Sequence, residues 1–148
     1  MTKNALVFFI LLIAIVSAKA QNTAPFMNIR LSFLLFPFSP LLTLEVRTIG
    51  NLTLQGETNF VHTHGINIKY YTTSRMEKSY FFVGSAFVSN ASLRADKKPT
   101  TLLYAGYGYA HIFKNNWTFD SRIGIGPTLN ADKNSVYPVI KLGAGKRF

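Results

Sequence analysis

Two histidines one residue apart, His62 and His64, are the residues whose type and spacing come closest to chemistry in this chain. On an extended backbone, positions i and i+2 project to one side, so the pair offers two imidazoles to a divalent metal. A third and fourth ligand would have to come from Asp96 or Asp132 on other connections. Two ligands rarely make a site, and a polar loop is the better account of the pair, so no metal is assigned. His111 falls on an apolar face and reads as an interfacial residue. A larger constellation is ionic. Glu45, Glu57 and Asp120 lie on the same strand faces as Arg30, Arg47, Lys69, Arg122, Lys141 and Arg147. Opposite charges confined together read as salt bridges that plug a small lumen, rather than as a channel or proton path. Arg94, Lys97 and Lys98 form a third group, suited to anion contact from a connecting loop, although a solvated loop explains them as well. No catalytic residue and no cofactor is assigned.

The elements that must position these groups follow a short leader. Lys3, the apolar run Ala5 to Val16 and the small residues around Ala18 and Ala20 form an export signal, with cleavage expected before Gln21. The run is too short for a comfortable membrane-spanning helix. With no cysteine after it, the lipoprotein route is closed. Residues 1–20 are therefore a cleaved signal peptide and residues 21–148 one domain. Of the 16 basic residues, Lys3 and Lys19 leave with the signal, so 14 remain against 6 acids and the mature charge is +8. For an exported chain that balance favours an anionic envelope surface over nucleic acid. The lack of cysteine also means that hydrogen bonding and packing, without disulfides, must hold the domain.

Eight segments with a period of two follow: 26–36, 41–49, 52–60, 66–73, 80–89, 101–113, 117–129 and 137–148. In the seventh, Trp117, Phe119, Ile123, Ile125 and Leu129 share one face, against Thr118, Asp120, Arg122, Gly124 and Gly126. The first four segments split in the same way, and the fifth is ambiguous. Alternation alone does not say which face is inside. The polar faces carry glycine and mixed charges rather than the Lys/Glu covering of a soluble surface, so they are expected inside a narrow lumen. Aromatics gather at the segment ends, Phe26, Phe81, Phe113, Trp117 and Phe148 at one end, Phe36, Phe60, Phe87 and Tyr137 at the other, as two bilayer interfaces require. Backbone groups in lipid must all be paired, so the sheet must close, and closure of eight strands leaves an interior that side chains fill. The expected fold is all-β, an eight-stranded antiparallel up-and-down transmembrane β-barrel. Short turns at 50–51, 74–79 and 114–116 face the periplasm in this reading. The connections at 37–40, 61–65, 90–100 and 130–136 face outward.

Together these features resemble the small eight-stranded outer-membrane β-barrel proteins of Gram-negative bacteria, the OmpA-transmembrane-domain and OmpX-like class. The likeness covers residues 21–148. Its sharpest local element is the C-terminal assembly signal, carried here by Lys141, Gly143 and Phe148, with Lys146 in the slot where the class has a hydrophobic residue. The resemblance implies recognition by the barrel-assembly machinery, residence in the outer membrane among bilayer lipid and lipopolysaccharide, and a monomeric state. It implies a structural or surface-interaction role with a filled lumen, not an open pore. Fold does not fix function, and two alternatives stand. The first is a lipid A-modifying enzyme. Deacylase barrels carry His-x-Ser, where this chain has His62, Thr63 and His64; acyltransferase barrels place His, Asp and Ser at the outer rim, where this chain offers Ser39, His62 and His64. The second is a soluble exported lipid-binding barrel with its faces inverted.

Overall fold

A computed structural model describes residues 27–35, 38–89, 99–129 and 135–148. Eight strands run in chain order: β1 (Met27–Leu35), β2 (Phe38–Arg47), β3 (Leu52–Thr58), β4 (Thr63–Tyr71), β5 (Lys78–Val88), β6 (Thr100–Ile112), β7 (Trp117–Leu129) and β8 (Val136–Arg147). Each pairs antiparallel with the next, and β8 returns to β1, so the sheet is a closed barrel. Mutual backbone bonds between Met27 and Phe148, of 3.2 and 2.8 Å, fasten the seam. We call the end where β1 begins and β8 finishes the terminal end, and the opposite end the loop end.

The period of two settles which side chains go where. Along β7, Trp117, Phe119, Ile123, Ile125 and Leu129 point outward, while Thr118, Asp120, Arg122 and Thr128 are buried in the lumen. The faces are the inverse of a soluble barrel's: Ile125 is 62 % exposed, whereas Arg30 is 1 % and Lys69 0 % exposed. β5 obeys the same rule. Tyr80, Phe82 and Val88 are buried, and Phe81, Val83 and Phe87 are exposed. Its sequence is ambiguous because large rings occupy both faces.

Three local expectations need correction. The connection expected at 37–40 is shorter, because Ser39 and Pro40 already belong to β2, opposite Leu34 and Phe33. Pro40 is tolerated there because β2 pairs with β3 only from Leu42 onward, so the missing N–H interrupts no bond on that side. The connection expected at 61–65 is also shorter, with Thr63, His64 and Gly65 inside β4. Gly65 reads as a turn residue but lies in the wall, where a Cβ would meet the Ser85 carbonyl at 3.3 Å. Tyr137, expected in an aromatic girdle, lies on the inward parity of β8 and packs beside Leu34 and Ala86 against the interior cluster. Phe26 and Phe36 lie outside the described residues, as do the leader 1–20, Asp96 and Asp132, and the loop cations Arg94, Lys97 and Lys98.

The turns at the terminal end are tight. Gly50 adopts φ +57 between Thr48 and Leu52, the left-handed position such a hairpin demands. In the β4–β5 turn Met76 is only 2 % exposed, folded back over the lumen onto Tyr71 and Tyr80. Nothing in the periodicity marks an isolated turn methionine as core.

Candidate functional site

The described charges of the lumen fall into two groups. Nearer the terminal end, Glu45 on β2 and Asp120 on β7 face Arg30 on β1 and Lys69 on β4. Arg30 pairs with Glu45, and Lys69 Nζ stands 3.3 Å from both Glu45 Oε2 and Asp120 Oδ2. Arg30 Nη1 lies 3.7 Å from Asp120, inside ion-pair range but too long for a hydrogen bond. Neutral donors complete the shell. Thr53 Oγ1 and Tyr71 Oη donate to Glu45 at 2.6 and 2.9 Å, and Tyr80 Oη donates to Asp120 at 2.8 Å. The Lys69 ammonium also sits 4.2 Å above the Tyr80 ring, a cation–π contact in a dry setting.

Nearer the loop end, Glu57 on β3 is the hub. Arg122 reaches its Oε1 and Lys141 its Oε2, each at 2.5 Å. Gln55 donates to the same carboxylate at 2.9 Å, and Asn67 donates to it as well. Lys141 spends a second proton on Thr43 Oγ1 at 3.2 Å. The Arg122 guanidinium lies 5.0 Å from the Phe82 ring, a cation–π contact, while its Nε and Nη1 have no hydrogen-bond partner among the described residues. The first group balances two cations against two acids, and the second sets two cations against one.

Comparison with family models, curated proteins and solved structures finds no match to this chain. Its chemistry therefore has to be read from its own geometry.

That geometry is saturated rather than poised. Each carboxylate accepts several bonds and none faces an open cleft. Burying a charge is costly unless it is paired and hydrogen-bonded; here each lumen carboxylate is paired, while Nε and Nη1 of Arg30 and of Arg122 are buried without a hydrogen-bond partner. Met76 closes the lumen at the terminal end. Arg47 donates to the Ser74 carbonyl and Arg147 Nη1 to the Arg75 carbonyl at 2.8 Å, so both arginines hold the β4–β5 turn across the mouth. Arg47 is thus a rim residue that fastens the plug, not a partner in the interior ion pairs assigned to it from sequence. Its position at the very end of β2 carries it beyond the acids. Toward the loop end, Leu41, Leu102, Tyr104 and Val139 pack across the lumen. Between them and Glu57 remains a cavity of about 20 Å³, room for one water molecule.

His62 and His64 do not converge on a metal-ligand cluster. His64 projects outward on β4, its Nδ1 2.9 Å from Thr58 Oγ1. The connection before it is organised by Asn59, whose Oδ1 accepts the N–H groups of Val61, His62 and Thr63 at 3.1, 2.8 and 2.8 Å. Asn59 also donates to Ser39 at 3.1 Å, so that hydroxyl is engaged by an amide. Among the described residues no three metal-ligating side chains gather. His111 is exposed on the outer face, edge-on to Phe113 at 4.6 Å. Of the C-terminal residues singled out by sequence, Lys141 and Gly143 face the lumen and Phe148 faces out. A Cβ at Gly143 would crowd Ser32 Oγ at 2.5 Å.

Several members of the network are silent in a search for charged pairs. Thr53, Gln55, Asn67 and Tyr71 share the parity of the charged set, which is the signal that finds them. Tyr80 carries no such signal, since its segment has rings on both faces.

Proposed function

We propose that this chain is an outer-membrane β-barrel with a structural or surface-interaction role, built around a filled, salt-bridged lumen and not an open pore. The observation that carries the reading is the distribution of polarity. The closed wall is apolar outside along its whole middle, and ionic side chains are packed inside. A belt of contiguous exposed Leu, Ile, Val and Phe of this extent needs an apolar solvent, and hydrocarbon is one. A soluble lipid-binding barrel would need its apolar sets in the lumen. All strands but the 7-residue β3 have 9 to 13 residues, the length that a tilted crossing demands. An exported origin and surface-exposed loops follow from the same reading, with the terminal end periplasmic, and lipopolysaccharide and bilayer lipid as the surroundings.

The test is electrophoretic. The mature chain, folded into detergent micelles, is expected to migrate differently unboiled and boiled, because a closed barrel resists unfolding by the gel detergent. A chain that is monodisperse and folded in buffer without detergent would contradict the reading.

A further inference from the structure

The described charges outside the lumen all lie at the terminal end. They are Arg47, Arg75, Lys78, Lys114, Lys146 and Arg147, against the single acid Glu77. Arg47 and Arg147 are occupied in holding the plug. Lys114 and Lys146 are not, and their surroundings differ. Lys146 points outward from β8 directly across from Trp117 on β7. Lys114 stands in the tight turn Lys114–Asn116 that leads into Trp117, a turn closed by the Phe113 N–H bonding the Trp117 carbonyl at 2.8 Å. Phe113, Trp117 and Phe148, on the same strand ends, are 53 %, 54 % and 58 % exposed. Three exposed rings and two lysines thus stand close together along one outward edge of the barrel.

We infer that this corner is a binding site for the headgroup of an anionic phospholipid in the leaflet at the terminal end. The inference rests on the bilayer reading above. An indole prefers the boundary between hydrocarbon and headgroup, which places Trp117 at glycerol depth. A lysine stem lies along apolar surface and lifts its amine toward water, so Lys146 and Lys114 reach the phosphate level just beyond the ring. No described acid stands at that corner to neutralise them. An anionic headgroup supplies the missing charge while its acyl chains lie on the apolar wall below. The same geometry accounts for Lys146 standing where the assembly signal of the resembling class has a hydrophobic residue: the slot is at the wall's edge, where an amine has a use.

Trp117 is the only tryptophan in the chain, so its fluorescence reports on this corner alone. The experiment folds the full chain into phosphatidylcholine vesicles containing a minor fraction of either brominated phosphatidylglycerol or brominated phosphatidylcholine, and compares quenching at equal mole fraction. An amine near a charged surface contributes about a fivefold preference. With two amines the anionic lipid is therefore expected to associate about 25-fold more tightly, with the preference lost in the Lys114→Gln, Lys146→Gln double variant and diminished by high salt. Equal quenching by the two lipids in the unmodified chain would overturn the headgroup site while leaving the bilayer reading intact. Loss of the preference on adding millimolar inorganic phosphate would assign the corner to free anions and overturn the lipid. No quenching by either lipid, in a chain that fails to enter vesicles, would overturn both.

Discussion

Replacing Glu57 with alanine is expected to lower the unfolding free energy of the barrel by about 3–5 kcal/mol, the cost of leaving buried charge without its partner. Glu57 is the acid that Arg122 and Lys141 share at 2.5 Å each, and the carboxylate to which Gln55 and Asn67 turn their amides. Its removal leaves two cations facing each other in a closed lumen that admits about one water molecule. Asp120→Ala is expected to act in the same direction with a smaller effect, because Arg30 and Lys69 keep Glu45. Urea unfolding of the folded barrel in lipid vesicles, followed through Trp117, measures both. Pairing Glu57→Gln with Lys141→Met, which removes one acid and one base together, is expected to recover part of the loss. Unchanged midpoints for both alanine variants would show that the ion pairs hold nothing.

Gly108→Ala is expected to cost about 1–3 kcal/mol, an overpacking penalty for a single methyl. Gly108 sits on the inner face of β6, and a Cβ there would overlap the ring of Tyr80. In another setting a tyrosine would swing aside. Here it is 0 % exposed, packs against Tyr71 at 4.9 Å between centroids, lies beneath Lys69 and donates to Asp120. Moving it breaks that bond. Gly56, on the outer face of β3 with nothing within 4 Å of a built Cβ, is the control. Gly56→Ala is expected to be neutral or to stabilise slightly, since alanine loses less backbone freedom on folding. The same unfolding measurement ranks the two. An equal response from both would mean that interior space plays no part in the choice of glycine.

The contrast explains why the inner wall of β6, β7 and β8 is rich in glycine. Large side chains from the other half of the barrel, Tyr80, Phe82 and Arg30 among them, need room to lie across the lumen. Cβ atoms at Gly106, Gly124 and Gly145 would meet the carbonyls of Ile123, Ala105 and Ile29 first, and then Phe82, Phe82 and Arg30. Size alternates across the interior instead of along any one strand.

The fold was legible because a period of two survives in nearly every segment, and closure follows once eight such segments need all their backbone bonds paired. Strand ends were less legible. Pro40 and Gly65 carry turn chemistry yet sit in strands, since a barrel wall accepts a proline where β2, still paired with β1, outruns β3, and a glycine where neighbours crowd. Met76 left no trace, because one apolar residue in a turn has no period. The composition of the lumen could be read from parity, but its pairing could not. Glu57 meets Arg122 65 residues away and Lys141 84 residues away, on strands across the barrel. Which acid reaches which base depends on how far each strand is staggered, and that is a property of the closed sheet. Arg47 shows the same limit from the other side: its parity is right, but its height in the barrel carries it past the acids to the rim.

In the proposed membrane setting the outward faces meet hydrocarbon while the charges lie sealed within. The chain contains no cysteine, so single cysteines introduced on the outer face carry spin labels without interference. The direct measurement is the collision of labels at Leu31, Ile68, Ile123 and Ile125 with oxygen and with a water-soluble nickel complex, in vesicles. High oxygen and low nickel accessibility are expected at all four, with labels in the turn 48–51 reversing that order. Nickel accessibility as high at Ile123 and Ile125 as in the turn would place the apolar wall in water and contradict the membrane setting.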